Sequence, residues 1–144
     1  MNTAPAPNEL TRSITPNIPL ISIVDDDESV RDALKSLLDS MGFRAEVFAS
    51  GEAFLNSPHI SQTDCLIADV RMPGMTGLEL QERLNAANSS IPIVFISAHD
   101  DGEARARGLR AGAVDFLKKP FSEDSLVRAI SACLDKDLNE KGDV

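Results

Sequence analysis

Residues 20–28 read LISIVDDDE, an apolar run followed at once by four acidic side chains. A short, nearly all-apolar run suits a strand that is buried on both faces. The acidic residues suit the start of a helix, because carboxylates stabilise the positive end of the helix dipole. Apolar side chains then recur at helical spacing from Val30 to Met41, and Gly42 is a typical residue to end such a helix. The segment therefore predicts a strand, a loop and a helix in that order.

The same alternation continues along the chain. Four more apolar runs of strand length follow, at Phe43–Phe48, Cys65–Ala68, Ile91–Ile96 and Ala113–Leu117. Between them lie amphipathic stretches, one opened by a capping box of Thr76 and Glu79, one over about Asp101–Ala111, and a last one with Ser122 as its N-cap. Alternating strands and helices predict a parallel sheet that is covered by helices on both faces.

The strand order can be predicted from the pattern of apolar and charged residues within each run. Runs one, three and four are nearly all apolar, whereas runs two and five alternate apolar with charged residues, as edge strands do. Strands two and five at the edges fit the order 2-1-3-4-5 of a flavodoxin-like, doubly wound (βα)5 three-layer sandwich. Ligands of such sheets bind beyond the carboxyl ends of the strands.

Length and composition limit the possible functions. The 144 residues suit one domain, which we place at 18–138 between a flexible tail over 1–17 and a polar tail over 139–144. A net charge of −9 argues against direct binding to nucleic acid. No window approaches the ~18 consecutive apolar residues of a membrane span, and the N-terminal residues lack the charged-then-apolar pattern of a signal peptide. Cys65 and Cys133 lie in apolar segments, which predicts reduced, buried thiols in a cytoplasmic protein.

Polar side chains follow the predicted strands where each one ends. They are Asp25, Asp26 and Asp27, then Asp69, then Ser97 and His99, then Lys118 and Lys119. Each alone has an ordinary explanation: a helix start, a turn hydroxyl, a surface loop or a solvated edge. Together at one edge, however, the carboxylates repel each other, since two charges ~4 Å apart cost about 4 kcal/mol at an effective dielectric of ~20. A divalent cation such as Mg²⁺ offsets that repulsion, which predicts a site there.

Four motifs resemble those of the bacterial two-component response-regulator receiver domain, in the same order and spacing. They are residues 23–27 (IVDDD), 66–77 (LIADVRMPGMTG), 95–98 (FISA) and 111–121 (AGAVDFLKKPF). The resemblance covers about residues 18–138, and the sequence at 50–55 (SGEAFL) looks most like that of the FixJ/NarL branch. That branch usually continues into a helix-turn-helix DNA-binding domain, for which we find no segment in this sequence.

The resemblance implies roles for the residues at the strand ends. Asp69 would be the phosphoacceptor, and Mg²⁺ would be held by Asp25, Asp26, Asp69 and the backbone carbonyl of Arg71. The Lys119 ammonium and the Ser97 hydroxyl would neutralise the phosphoryl oxygens. Lys119 is chosen over Lys118 because it directly precedes Pro120, and the resemblance implies a cis peptide between these two residues.

The resemblance also implies a switch and its partners. Ser97 and Phe116 would be the switch residues, and Arg71 and His99 would modulate dephosphorylation. The phosphoryl donor would be a sensor histidine kinase or a histidine phosphotransfer protein. The output would be a downstream protein or a second copy of the chain, bound through helix four and strand five. Three residues depart from the family pattern: Ser97 replaces Thr, Phe116 replaces Tyr, and Gly108 lies inside helix four, where it costs about 1 kcal/mol relative to alanine.

Two other classes of function share parts of this pattern. A Mg²⁺-dependent phosphohydrolase of the haloacid dehalogenase type also uses an aspartyl nucleophile. Such an enzyme needs a second Asp two positions after the nucleophile, where this chain has Arg71, and it needs a cap insertion that forms a substrate pocket. A flavin or dinucleotide protein needs a glycine-rich loop after the first strand, where this chain has acids. We therefore expect a signalling module and not an enzyme, with at most self-catalysed phosphorylation and autodephosphorylation.

Overall fold

Five parallel strands form one sheet in the order β2-β1-β3-β4-β5. The computed structural model describes residues 18–142, so the predicted tail over 1–17 and residues 143–144 lie outside it. In chain order the elements are β1 (Leu20–Val24), α1 (Glu28–Ser40), β2 (Arg44–Phe48), α2 (Gly51–Leu55), a 3-10 turn (Ile60–Gln62), β3 (Cys65–Asp69), α3 (Gly77–Ala86), β4 (Ile93–Ser97), α4 (Gly102–Arg110), β5 (Asp115–Lys118) and α5 (Glu123–Gly142). The predicted doubly wound, flavodoxin-like fold is confirmed.

Helices cover both faces of this sheet and enclose two apolar cores. Alternate strand residues such as Ile23 and Ile67 face the core that also contains side chains of α1 and α5. Their neighbours, among them Leu66 and Phe95, face the core that contains side chains of α2 and α3. Strands β1, β3 and β4 are buried along their whole length, whereas β2 is mostly half-buried and β5 begins and ends outside the core. The prediction of β2 and β5 as edge strands is therefore also confirmed.

The predicted helix ends are present as hydrogen bonds. Thr76 and Glu79 form the reciprocal capping box of α3. The Ser122 hydroxyl accepts the Ser125 N–H at 3.0 Å at the start of α5. Gly42 follows α1 with φ +87°, a left-handed conformation that glycine adopts without steric cost. These local sequence signals were sufficient to place the helix ends.

Strand boundaries differ from the prediction by one or two residues, for local reasons. Strand β4 begins at Ile93 and not at Ile91, because Pro92 has no N–H for the sheet ladder and contributes only its carbonyl, to the Leu66 N–H. Ala113 lies outside β5, because its N–H donates to the Gly108 carbonyl at the end of α4. Helix α5 continues to Gly142, past the expected domain boundary at 138.

No helix within residues 18–142 is both long and apolar enough to cross a membrane. Because the five strands are parallel, their carboxyl ends lie along one edge of the sheet. The loops that follow β1, β3, β4 and β5 therefore meet at that edge, and they carry the predicted site.

Candidate functional site

Asp25 is the most constrained acid at this edge, and its side chain is fully buried. Its Oδ2 accepts a hydrogen bond from the Lys119 ammonium at 2.8 Å, and its Oδ1 accepts the Asp27 N–H at 2.9 Å. The Asp25 carbonyl accepts a further bond from the Arg31 guanidinium at 2.9 Å. This residue is thus held by the loop after β1, by α1 and by the loop after β5.

Three carboxylates converge at the edge of the sheet. Oxygen atoms of Asp25, Asp26 and Asp69 all lie within 4.8 Å of one another, with Asp26 exposed and the other two buried. The nearby cation is Lys119, whose ammonium lies 3.7 Å from Asp69 Oδ2 in addition to its bond with Asp25. The predicted acidic residues are therefore brought together, and the Lys119 ammonium contacts two of the three carboxylates.

Burial and the neighbouring acids perturb the Asp69 carboxyl. Its pKa is raised to about 6, chiefly by burial and then by repulsion from Asp25, with a smaller contribution from Asp26. The Lys119 ammonium and the backbone N–H of Arg71 act in the opposite direction, yet the net shift stays upward. Burial and repulsion by the neighbouring acids therefore outweigh the Lys119 ammonium at Asp69.

The donor atoms of the cluster fit Mg²⁺. This cation prefers a few carboxylate oxygens together with waters, and the exposed Asp26 leaves one side of the cluster open to solvent. The hydrogen bonds already made by Asp25 do not exhaust its capacity, because each carboxylate oxygen carries two lone pairs. Asp27 does not join the cluster, because its carboxylate is the N-cap of α1. It accepts the Ser29 hydroxyl at 2.7 Å and the Ser29 N–H at 2.9 Å, and these two bonds lower its pKa.

Ser97 and Lys119 lie at the same edge, as predicted. Ser97 ends β4 and is fully buried, and its carbonyl accepts the backbone N–H of Lys119 at 2.6 Å. Its hydroxyl donates to the His99 carbonyl at 3.2 Å and accepts the His99 N–H at 3.1 Å, so it closes a turn. The peptide between Lys119 and Pro120 is cis, as the resemblance implied.

The other predicted residues lie around this edge. Phe116 is buried in β5, with its ring centroid 6.1 Å from that of Phe95. His99 is exposed in the loop after β4. The Arg71 side chain binds the Asp101 carboxylate through two hydrogen bonds, Nε to Oδ2 at 2.8 Å and Nη2 to Oδ1 at 2.7 Å. No local pattern in the sequence predicts this ion pair.

Two glycines permit close packing that local patterns also do not predict. A Cβ atom at Gly77 would overlap the carbonyl oxygen of Asp69, so only glycine lets α3 begin against the backbone of that residue. A Cβ atom at Gly108 would come within 2.9 Å of the Phe95 ring. The helix-propensity cost expected for Gly108 is therefore only part of its effect, because this glycine also brings α4 against β4. The sequence signal was a glycine inside a helical pattern, which indicates either flexibility or close packing.

Comparisons with known proteins agree with this geometry. A family model described as the response regulator receiver domain matches residues 21–131. The response regulator protein TodT of Pseudomonas putida is 46% identical over 123 residues, which are 85% of this chain and 54% of TodT. The solved structure of the response regulator StyR is 44% identical with a TM-score of 0.81, and the match covers 88% of this chain and 64% of that one.

A second solved structure, FixJ-N, is 34% identical with a TM-score of 0.76, and the match covers 83% of this chain and 95% of that one. The chain spans about half the length of the curated relatives that it matches, 54% in the case of TodT.

Proposed function

This chain belongs to the response-regulator receiver family, and from that premise we propose that Asp69 accepts a phosphoryl group from a phosphohistidine. The donor is a sensor histidine kinase or a histidine phosphotransfer protein. The observation that carries the proposal is the Asp69 carboxyl itself, which lies among two other acids and one lysine with its pKa raised to about 6. Such a concentration of negative charge is costly for a fold, and it is useful at a site that binds a cation and a phosphoryl group.

The proposed step is a nucleophilic displacement at phosphorus. An ionised Asp69 oxygen attacks the phosphorus atom, the P–N bond to the histidine breaks, and the imidazole leaves with that electron pair. The product is an acyl phosphate on Asp69. Most of the catalysis in such a transfer comes from positioning and from neutralising the phosphoryl oxygens. Lys119 is the protein group for this role, because its ammonium already lies 3.7 Å from Asp69.

Mg²⁺ would be held by Asp25, Asp26, Asp69 and the Arg71 carbonyl, and it would neutralise charge on the transferring group. Asp26 and Asp27 provide a matched pair to test this ligand set, since Asp27 caps α1 instead. The melting temperature should rise on adding Mg²⁺, and Asp26→Ala should reduce that rise more than Asp27→Ala does. Equal reductions in both variants would contradict the proposed ligands.

Ser97 and Phe116 are the proposed switch residues. After phosphorylation, the Ser97 hydroxyl leaves its turn with His99 and donates to a phosphoryl oxygen, and Phe116 moves into the space this opens. The ligand thereby shifts an existing equilibrium between two conformations. Arg71 and His99 are proposed to set the rate of dephosphorylation, with the bulk of Arg71 dominant and a phosphoryl lifetime of minutes or longer.

We place the partner surface on α4 and β5. Helix α4 exposes Arg105, Arg107 and Arg110 and buries only Gly108, and Lys118 at the end of β5 is also exposed. We infer that they give this face a basic patch on a molecule whose net charge is −9, with Arg107 also 3.7 Å from the Glu82 carboxylate of α3. An acidic face of a downstream protein, or an acidic face of a second copy, would be attracted to it.

Labelling with acetyl phosphate tests the phosphoacceptor. In the presence of Mg²⁺, the protein should gain one acid-stable, hydroxylamine-labile phosphoryl group. Asp69→Asn should abolish the labelling, whereas Asp32→Asn, which changes an exposed acid of α1, should not. Full labelling of the Asp69→Asn variant would overturn the assignment. Turnover of a generic phosphoester that depends on Asp69 would favour the phosphohydrolase instead.

A further inference from the structure

Arg71 connects the acidic cluster to the start of α4 through a single residue. It lies two residues after Asp69, and its backbone N–H is among the groups that lower the pKa of that carboxyl. Its guanidinium donates to both oxygens of Asp101, which lies 30 residues later in the chain. Two parallel bonds from one guanidinium to one carboxylate define both the distance and the orientation of the partners. Arg71 is therefore the residue through which the state of Asp69 can influence the position of Asp101.

Asp101 occupies the N-cap position of α4, yet its side chain does not cap the helix. Its carbonyl accepts the Arg105 N–H at 2.8 Å, so the backbone begins the helix in the usual way. The N-cap residues of α1, α2 and α3 each accept a first-turn N–H through their side chains. Aspartate is among the best N-cap residues. By binding Arg71, Asp101 withholds from α4 a hydrogen bond that it could otherwise make.

The pair is well suited to exchange. The Arg71 side chain is 57% exposed and that of Asp101 is 19% exposed, and ion pairs near solvent are held weakly. A phosphoryl group carries a charge of about −1.5 to −2 and three strong acceptor oxygens. It would be attached to the Asp69 carboxylate, two residues before Arg71 in the loop that follows β3. Because guanidinium binds phosphate in the same bidentate manner as carboxylate, the phosphoryl group can compete with Asp101 for Arg71.

We propose that phosphorylation transfers Arg71 from Asp101 to the phosphoryl group, and that the released Asp101 then caps α4. The proposal rests on the proposed function of Asp69 as phosphoacceptor. In it, Asp101 is a positioning residue: it holds the guanidinium of Arg71 in the unphosphorylated protein and stabilises the first turn of α4 in the phosphorylated one. The first turn of the proposed partner surface is thus more stable in the signalling state.

Hydrogen exchange at the amides of Glu103 and Ala104 tests the exchange of partners, because an N-cap side chain binds the second or third N–H of its helix. Beryllofluoride with Mg²⁺ serves as a mimic of the phosphoryl group on Asp69. In the unmodified chain it should slow exchange at these amides by about fivefold, the effect of one cap bond. Arg71→Ala frees Asp101 in both states, so exchange should be slow with and without beryllofluoride. Asp101→Ala removes the cap in both states, so exchange should be fast throughout.

The proposal predicts slow amide exchange in Arg71→Ala and fast amide exchange in Asp101→Ala. This difference distinguishes it from a purely structural ion pair. Loss of a structural pair would speed exchange in both variants, and that result would overturn the proposal, as would a normal beryllofluoride response in either variant. Asp100→Ala, which changes the adjacent exposed acid, should behave like the unmodified chain. Acetyl phosphate labelling of the same sample separates the two proposals. A labelled chain with an unresponsive α4 start refutes only the partner exchange, whereas an unlabelled chain refutes the phosphoacceptor.

Discussion

Helices α1 and α4 flank the same acidic edge, and they are attached to the protein in different ways. Helix α1 buries Leu34 and Leu38 in the core and is capped by Asp27. Helix α4 buries only Gly108, and its N-cap side chain is engaged elsewhere.

Side-chain amides of α3 hold the other end of α4: Gln81 donates to the Gly108 carbonyl at 2.9 Å, and Asn85 donates to the Ala111 carbonyl at 3.1 Å. One helix is thus held by apolar burial and the other largely by polar contacts. Segments with little apolar burial open at low free energy, so we expect α4 to respond to Asp69 while α1 stays fixed.

Truncation of an apolar side chain should show the largest difference between the two helices. Leu38→Ala in α1 removes a fully buried side chain and should lower the free energy of unfolding by about 2–5 kcal/mol. Leu109→Ala in α4 removes a side chain that is 38% exposed and should change it by about 0.5 kcal/mol or less. Urea denaturation of both variants measures the difference. Similar losses would show that α4 is as firmly packed as α1.

Alanine at Gly108 should destabilise the protein, although alanine is the better helix former. The added methyl group meets the Phe95 ring, and overpacking of this kind costs about 1–3 kcal/mol, more than the gain of about 1 kcal/mol in helix propensity. Gly102→Ala is the matched control in the same helix, because a Cβ atom there has nothing within 4 Å. If Gly108→Ala raised the midpoint of urea unfolding, flexibility and not close packing would explain this glycine.

The acidic cluster between the two helices should make stability depend on pH. The raised pKa of Asp69, about 6, means that the folded state takes up a proton more readily than the unfolded chain between pH ~4 and ~6. Ionisation of Asp69 therefore lowers the free energy of unfolding progressively as the pH rises through this range, and the loss is constant above it.

Without Mg²⁺, Asp69→Asn should stabilise the fold by about 1 kcal/mol at pH 7, since water at the edge screens part of the repulsion, and by less at pH ~4.5. Unfolding curves at the two pH values measure this. A gain that does not depend on pH would exclude titration of Asp69 as its cause.

The smallest expected difference concerns the two N-cap acids. Asp27→Ala removes a side-chain bond to the Ser29 N–H, so it should destabilise the protein by the amount typical of one N-cap bond. Asp101→Ala removes no cap and should have a smaller effect in the unphosphorylated protein. Thermal unfolding of both variants checks the order. A larger loss for Asp101→Ala would mean that its pair with Arg71 supports the fold more than an exposed ion pair normally does.

The pattern of residues along the chain was enough to predict the architecture. A doubly wound sheet follows from three signals, each of which acts within a few residues of chain. They are the five apolar runs, the capping residues Thr76 and Ser122, and the alternation of apolar and charged residues in the edge strands. The gathering of Asp25, Asp26 and Asp69 followed from the same reasoning, since parallel strands place their carboxyl ends at one edge.

Contacts between distant segments could not be predicted in this way. They include the pair between Arg71 and Asp101 and the close packing at Gly77 and Gly108, which depend on how two loops or two elements approach each other. Periodicity states which face of a helix or strand is buried. The direction of a particular side chain, and the partner that it meets, are decided by the packing of the whole sheet with its helices, where a shift of about one ångström separates a hydrogen bond from no contact.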